Sequence, residues 1–257
     1  VLTNNFALAH VIASIGSLNG YGSSIAQTQK ALDTGNTKYL KQENEDVNIF
    51  KDIVAGIAAA KEYGFNVEGM IAINKAFTHS EVEDPIIPGH LRNALYNSDD
   101  NIAITVDEHS QKAYIPPEVV SKDYLQGIVD DFENSDQSRF EAWKVFARLS
   151  KLQPFQDGNK RTALIAANSA MNVWRNEDYL VLPFNDLDKA EFSINLMRFY
   201  DASDSKAELA ALKKMVALVP SQNELVYHQT QATEKGSLDL SKVKTKPLFR
   251  KPKDGKQ

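Results

Sequence analysis

The sequence predicts an all-α protein built around one helix–loop–helix, with one small β-hairpin. Three observations predict it. Apolar residues recur at helical spacing along most of residues 6–219. The only short alternating pieces lie in residues 80–117, a region rich in Pro, Asp and Asn. Between two apolar runs stands Gln153-Pro154-Phe155-Gln156-Asp157-Gly158-Asn159-Lys160-Arg161-Thr162, which reads as a loop feeding a helix.

Residues 6–19 read as a helix with Leu8, Val11, Ile12, Ile15 and Leu18 on its apolar side, ended by Gly20-Tyr21-Gly22. Ser23 or Ser24 can cap a short second helix, and Asp33-Thr34-Gly35-Asn36 is a turn. Residues 45–62 form an amphipathic helix with Val47, Phe50, Val54, Ile57 and Ala58 on one face, stopped by Tyr63-Gly64. Asn66 precedes another helix that turns Ile71 and Ala72 inward. The hairpin is placed at residues 102–106 and 113–115, and Pro116-Pro117-Glu118 starts the next helix, past Tyr124, Ile128 and Phe132. Ser135 or Asp136 caps the helix carrying Phe140, Trp143, Phe146, Ala147 and Leu149.

Residues 162–174 are apolar nearly all round, which predicts a helix surrounded by protein. Asn176-Glu177-Asp178 turns the chain into residues 179–184, a lining strand or extended link. Asp186 or Asp188 caps a helix over residues 188–200, Ser205 with Glu208 boxes the helix over 206–219, and Ser221 with Glu224 repeats the device.

The polar loop carries the chemistry. The first-turn amides of Gly158, Asn159, Lys160 and Arg161, with the helix dipole, favour an anion. Arg161 can grip two phosphate oxygens, and Asp157 is placed to hold the magnesium that accompanies a nucleotide. The same residues also suit a plain surface turn with a soluble Lys-Arg pair, and spacing alone does not separate the two.

The stretch resembles the signature loop of the Fic/Doc (Fido) family, His-Pro-Phe-x-[Asp/Glu]-Gly-Asn-[Gly/Lys]-Arg, at the centre of an all-α domain. Every specified position agrees except the first. The resemblance implies transfer of AMP from ATP to a Ser, Thr or Tyr hydroxyl of a target protein. It implies a catalytic set of Gln153 (the position of the base), Asp157, Asn159 and Arg161, with Asp157 holding Mg. Gly158, Asn159, Lys160 and Arg161 become the nucleotide-binding set, with Phe155 as their buried anchor.

Gln153 stands where the family has its His, and an amide is no base near neutral pH, so the step it would assist, typically worth roughly 10²- to 10⁴-fold, is impaired or lost. Leu164 stands where many adenylylating members carry a second Arg, and Lys160 resembles Doc, whose relatives phosphorylate a target instead. A silent nucleotide- or peptide-binding module and a phosphotransferase therefore stay open beside adenylylation. The resemblance also makes the hairpin a flap over the active loop, led into by Pro88-Gly89-His90-Leu91-Arg92, where a target segment adds as a strand, and an ordinary hairpin covering a core edge stays open beside it. It further suggests a degenerate inhibitory-type helix with Ser23, Gln27 and Thr28 in the places of its hydroxyl, Glu and following residue. Neither Gln27 nor Leu164 brings the charge that form of inhibition uses.

Composition excludes much else. There is no Cys, so disulfides, thiolate metal sites and thiol catalysis are out, which suits the cytoplasm. No apolar run approaches the roughly 18 residues that span a bilayer. Residues 1–5 lack a signal peptide's basic region, and the start at Val1 rather than Met leaves room for residues upstream. The net charge is −5, but residues 235–257 carry +6 of it, leaving −11 on the remainder. An acidic body argues against a nucleic-acid face, and the basic tail reads as a solvated arm. His79-Ser80-Glu81-Val82-Glu83 is the one clustering of metal-ligand types and reads as a solvated loop. P-loop, dinucleotide-binding and nucleophile-elbow motifs are not met. The expected organisation is an N-terminal helical part over residues 1–78, a Fic-like core with flap and loop over 79–220, and a polar tail over 221–257. A homodimer is left open.

Overall fold

The computed structural model describes residues 5–41, 45–79, 87–107, 110–221 and 223–225. It divides the chain into two compact units, Val1–Pro220 and Ser221–Gln257. The described helices of the first are α1 (Phe6–Gly16), α2 (Ile25–Thr34), α3 (Asp46–Tyr63), α4 (Val67–Lys75), α5 (Lys122–Glu133), α6 (Arg139–Leu152), α7 (Asn159–Ala170), α8 (Asp186–Asp201) and α9 (Ser205–Val216). In the second unit Ser221 and Glu224 exchange the expected reciprocal cap bonds.

The expected all-α class with a hairpin is what the chain adopts. α7 lies at its centre, packed against α1, α3, α4 and α6, and every residue from Arg161 to Ser169 is buried. Asn168 makes that burial tolerable: its amide donates to the Leu164 and Leu180 carbonyls and accepts the Leu180 NH. Ser14 Oγ accepts the Leu182 NH, so residues 179–184 pass as an extended link rather than a strand. α6 fills the other side with Trp143 and Phe146, which meet Phe192 of α8 in edge-on and tilted contacts. Each such ring removes enough apolar surface to contribute roughly 1.5–3 kcal/mol.

β1 (Ile104–Asp107) and β2 (Lys112–Tyr114) form the antiparallel hairpin, with Ile104 opposite Tyr114 and an irregularity after Thr105. It rests on the end of α8 through the Lys112–Asp201 ion pair and the Tyr114–Tyr200 ring contact.

Several caps and faces differ from expectation. α6 is capped by Ser138, α8 by Asn185 and α9 by Asp204, because these residues have the extended backbone that lets the side chain reach the amide three positions on. Ser135 and Asp136 instead bond to Gln137 and Ser138 within the preceding turn. α5 begins at Lys122, not after Pro116, since Val120 donates to the Arg92 carbonyl and Val119 bridges Asn93, keeping that stretch extended. α3 buries Ile49, Phe50, Ile53, Gly56 and Ile57 while Val54 and Ala58 face out. α4 buries Val67, Met70, Ile73 and Asn74, leaving Ile71 and Ala72 half-buried. Both faces are turned toward α7, and that turn brings Asp52 and Asn74 inward.

The Ser80–Glu83 part of the acidic cluster, His109, His228 and the basic tail lie outside the described residues. Among the described residues no helix is long and apolar enough to cross a membrane, and no group of three metal-ligand side chains gathers.

Candidate active site

α6 ends at Gln153, which takes the left-handed conformation at φ 49°. Gly or Asn usually holds that C-terminal position, so a Gln there must be held by its surroundings. Its carbonyl accepts Arg92 Nε at 2.5 Å, its Nε2 donates to the Ser150 carbonyl at 2.6 Å, and its Oε1 accepts Asn159 Nδ2 at 3.0 Å. The residue is 8 % exposed, and both ends of its amide are engaged. Tyr200 lies beside Ser150 and Gln153, yet its hydroxyl finds no hydrogen bond of good geometry; burial first, with nearby Tyr114, keeps that hydroxyl far above its ordinary value.

Asn159 closes the loop from within. Its Oδ1 accepts the Phe155 NH and its Nδ2 donates to the Phe155 carbonyl, while the Phe155 ring is wholly buried. Asn74 of α4 donates to the Asp157 carbonyl and, more weakly, to Thr162 Oγ1, and accepts the Gly89 NH. Gly158 starts α7 at φ +74°, and a Cβ there would sit 2.7 Å from the Phe77 ring, so the position has room only for glycine. Gly158, the N-cap of α7, has no side chain of its own with which to occupy the first-turn amides.

Arg161 is the buried charge of the site, 1 % exposed, and its guanidinium lies over the Phe77 ring. Nη2 bonds Asp157 at 3.1 Å, and Nη1 stands 3.9 Å from Asp52 Oδ2 of α3. Nε and Nη1 make no hydrogen bond, nor does that Asp52 oxygen. Asp52 Oδ1 accepts the Thr78 and His79 amides and His79 Nδ1. The Asp157 side chain is 34 % exposed.

On the far side, Asp100 accepts Gln156 Nε2, the Asn93 NH and His90 Nε2. Burial pushes its carboxyl up, but those hydrogen bonds and the charge of His90 outweigh it and hold the carboxyl below its ordinary value. Burial draws the Arg92 guanidinium below its usual value, against the pull of Asp100.

Lys160 points elsewhere, into a cavity of about 140 Å³ with Leu182, Pro183, Lys189, Phe192 and Leu196. A second cavity of about 290 Å³ shares Leu182, Pro183 and Lys189 and reaches His10 and Ser24.

The structure thus brings Gln153, Phe155, Asp157, Gly158, Asn159 and Arg161 into one loop, with Lys160 on its outer flank. Asp52, Asn74, Phe77 and Asp100 were not singled out from sequence, and Arg92 and Gln156 were named there only within the lead into the hairpin and the loop, with no role of their own. Asp52 and Asn74 had a signal, since each is a polar residue inside an apolar helical stripe. Ser23, Gln27 and Thr28 serve their own neighbourhood: Ser23 bonds Asp46, Gln27 closes the capping box of Ser24, and Thr28 meets Tyr21.

Residues 65–171 match the Fic/DOC family model, so the chain carries a Fic/DOC domain there. Among solved structures it is similar to a Fic-domain-containing signalling protein from Bacteroides thetaiotaomicron VPI-5482, with 15 % identity and TM-score 0.58 over 84 % of this chain and 81 % of that one. It is also similar to Fic-1 (aa 134–508) from C. elegans, with 18 % identity and TM-score 0.55 over 90 % of this chain and 65 % of that one. A variant of that fragment gives 17 % and 0.54, over 89 % and 64 %. The chain therefore spans just under two thirds of the C. elegans fragments, and identities this low speak for the fold alone. No curated protein sequence matches the chain.

Proposed function

We propose that this chain binds ATP with magnesium and moves AMP onto a Ser, Thr or Tyr hydroxyl of a target protein, with the transfer slowed or abolished by Gln153. The family match supports a Fic-type transferase role in general; the nucleotide and the slow step are our reading. The observation that carries it is Arg161, whose Nε and Nη1 are buried without hydrogen bonds in the first turn of α7, which starts at Gly158. A buried guanidinium with idle donors next to first-turn amides suits phosphate oxygens. Asp157, partly exposed, suits magnesium shared with those phosphates, since that ion is commonly held by one or two carboxylates plus substrate oxygens. The ion would supply neutralisation of phosphate charge. The cavity walled by Leu182, Phe192 and Leu196 beside Lys160 suits a purine ring.

In the reaction the acceptor oxygen bonds the α-phosphorus, the bond to pyrophosphate breaks, and the hydroxyl proton must leave. Gln153 has no basic atom to take it, so the proton passes to water. What remains to this chain is binding and orientation of the phosphates, with the hairpin edge open to a target strand.

A second reading is favoured by one observation: the Gln153 amide is tied at both ends, to Ser150 and Asn159. A side chain so occupied belongs as well to a silent module that captures nucleotide without transferring it. Calorimetry with MgATP, followed by incubation with ATP labelled at the α- or γ-phosphate, separates the readings. Protein-bound α-label supports adenylylation, γ-label alone indicates phosphotransfer, binding without label leaves the module, and no heat of binding refutes the nucleotide site.

A further inference from the structure

We propose that Arg92 is the positioning residue of this site, a junction that fixes main-chain position 153 to both roots of the hairpin. Its guanidinium uses only main-chain carbonyls as acceptors: Nε to Gln153 at 2.5 Å, Nη1 to Asp100 at 2.7 Å and Nη2 to Pro117 at 2.8 Å. Asp100 lies shortly before β1 and Pro117 shortly after β2, so one side chain spans the hairpin's two ends and the active loop. The Arg92 backbone repeats the connection, its NH donating to the Pro154 carbonyl and its carbonyl accepting the Val120 NH.

Fold stability does not explain this choice. A guanidinium 1 % exposed carries a desolvation cost, and buried ionic groups are often replaced by apolar ones without loss of stability. What an apolar side chain cannot do is hold three carbonyls from three segments in one plane. The contact with Gln153 falls on the residue held in the left-handed conformation, where the backbone most needs an outside restraint. A parallel tie runs from Gln156 through the Asp100 carboxylate to the Asn93 amide. Hairpin and loop are therefore one body, and a segment seated on the hairpin edge is held at a fixed offset from side chain 153. This last step rests on the function proposed above; the coupling itself does not.

The test is a coupling measurement by amide hydrogen exchange with four proteins: unmodified, Ala113→Pro in β2, Arg92→Lys, and the double variant. Ala113→Pro is expected to speed exchange across residues 150–156 by about tenfold or more through Arg92, while residues of α3 such as Ile53 are unmoved. With Arg92→Lys already present, the response of 150–156 to Ala113→Pro should shrink to about a third or less, the remainder carried by the Arg92 backbone bonds and the Gln156–Asp100 tie. An undiminished response in the double variant overturns the proposal, as does Arg92→Lys raising exchange uniformly over the whole fold. A catalytic arm uses Gln153→His: adding Arg92→Lys should lower the α-label rate about tenfold, with MgATP affinity held within about threefold. An equal loss of both overturns the positioning role. If Gln153→His transfers no label, the proposed function fails, and the exchange result still decides the junction.

Discussion

Replacing Gln153 by His tests the proposed loss of a base directly. The imidazole would stand where Oε1 now accepts Asn159 and Nε2 donates to the Ser150 carbonyl. With Nδ1–H donating to Ser150, Nε2 keeps its lone pair for the acceptor proton, and Asn159 still holds the Phe155 carbonyl. The folded state loses one neutral hydrogen bond of about 1 kcal/mol, partly offset because His accepts the left-handed conformation more readily than Gln. Thermal unfolding should then fall by no more than about 2–4 °C. A general base contributes about 10²- to 10⁴-fold, equivalent to about 2.7–5.4 kcal/mol of barrier. The assay is the rate of α-label entering protein from MgATP, in the purified chain and in a cell lysate. A rise of about 10²-fold or more supports the reasoning. MgATP binding with no gain in label refutes it and moves the block to Lys160 or Leu164.

Arg161→Ala removes the buried guanidinium beside Asp52 and Asp157, and losing one partner of a buried charge group costs about 3–5 kcal/mol, so calorimetry should register loss of MgATP binding and a scan a lower Tm; unchanged values would show the guanidinium idle. Gly158→Ala meets both the left-handed backbone and the Phe77 ring, and should destabilise by about 2–3 kcal/mol in urea unfolding; an effect under about 0.5 kcal/mol would mean the loop relaxes freely. Asp100 titrates below its ordinary value of 3.8, so its contribution to stability is complete above that pH and is lost as pH falls through the folded value. Asp100→Asn should accordingly flatten the acid limb of the stability curve below about pH 4, and an unchanged limb would remove Asp100 from the account.

The fold was legible because its organising helix is apolar nearly all round and too short to span a bilayer, which points to burial among other elements. α6 and α7 and the loop between them follow from that and from the turn residues Pro154 and Gly158. The caps moved because Ser, Asp and Asn cluster before each helix, at 135–138, 185–188 and 204–205, and which one caps depends on backbone conformation that tertiary contacts decide. The face of α3 was misread for a related reason: Val54 and Ala58 fit an apolar stripe, but Asp52 is drawn in by the Thr78 and His79 amides. Arg92 was read only as the end of the lead into the hairpin, and its three contacts were not legible. Its acceptors are three main-chain carbonyls, and no residue type announces those.

The inward turn of Asp52 also alters what can regulate the loop. In the resembled family inhibition works through a Glu on a neighbouring helix and a second Arg of the loop. Here Leu164 fills that Arg position as buried core, and Gln27 is spent on its own helix start. The remaining loop Arg, Arg161, already has two carboxylates near it, one from the loop and one from α3, and full hydrogen bonding with neither Nε nor Nη1. A phosphate arriving at the start of α7 would take up those donors, while the Asp157 contact would have to yield if that carboxylate is to face a cation. On the function proposed above, anion and cation binding would be coupled through one guanidinium, each making the other easier, because together they would resolve a charge arrangement that neither resolves alone.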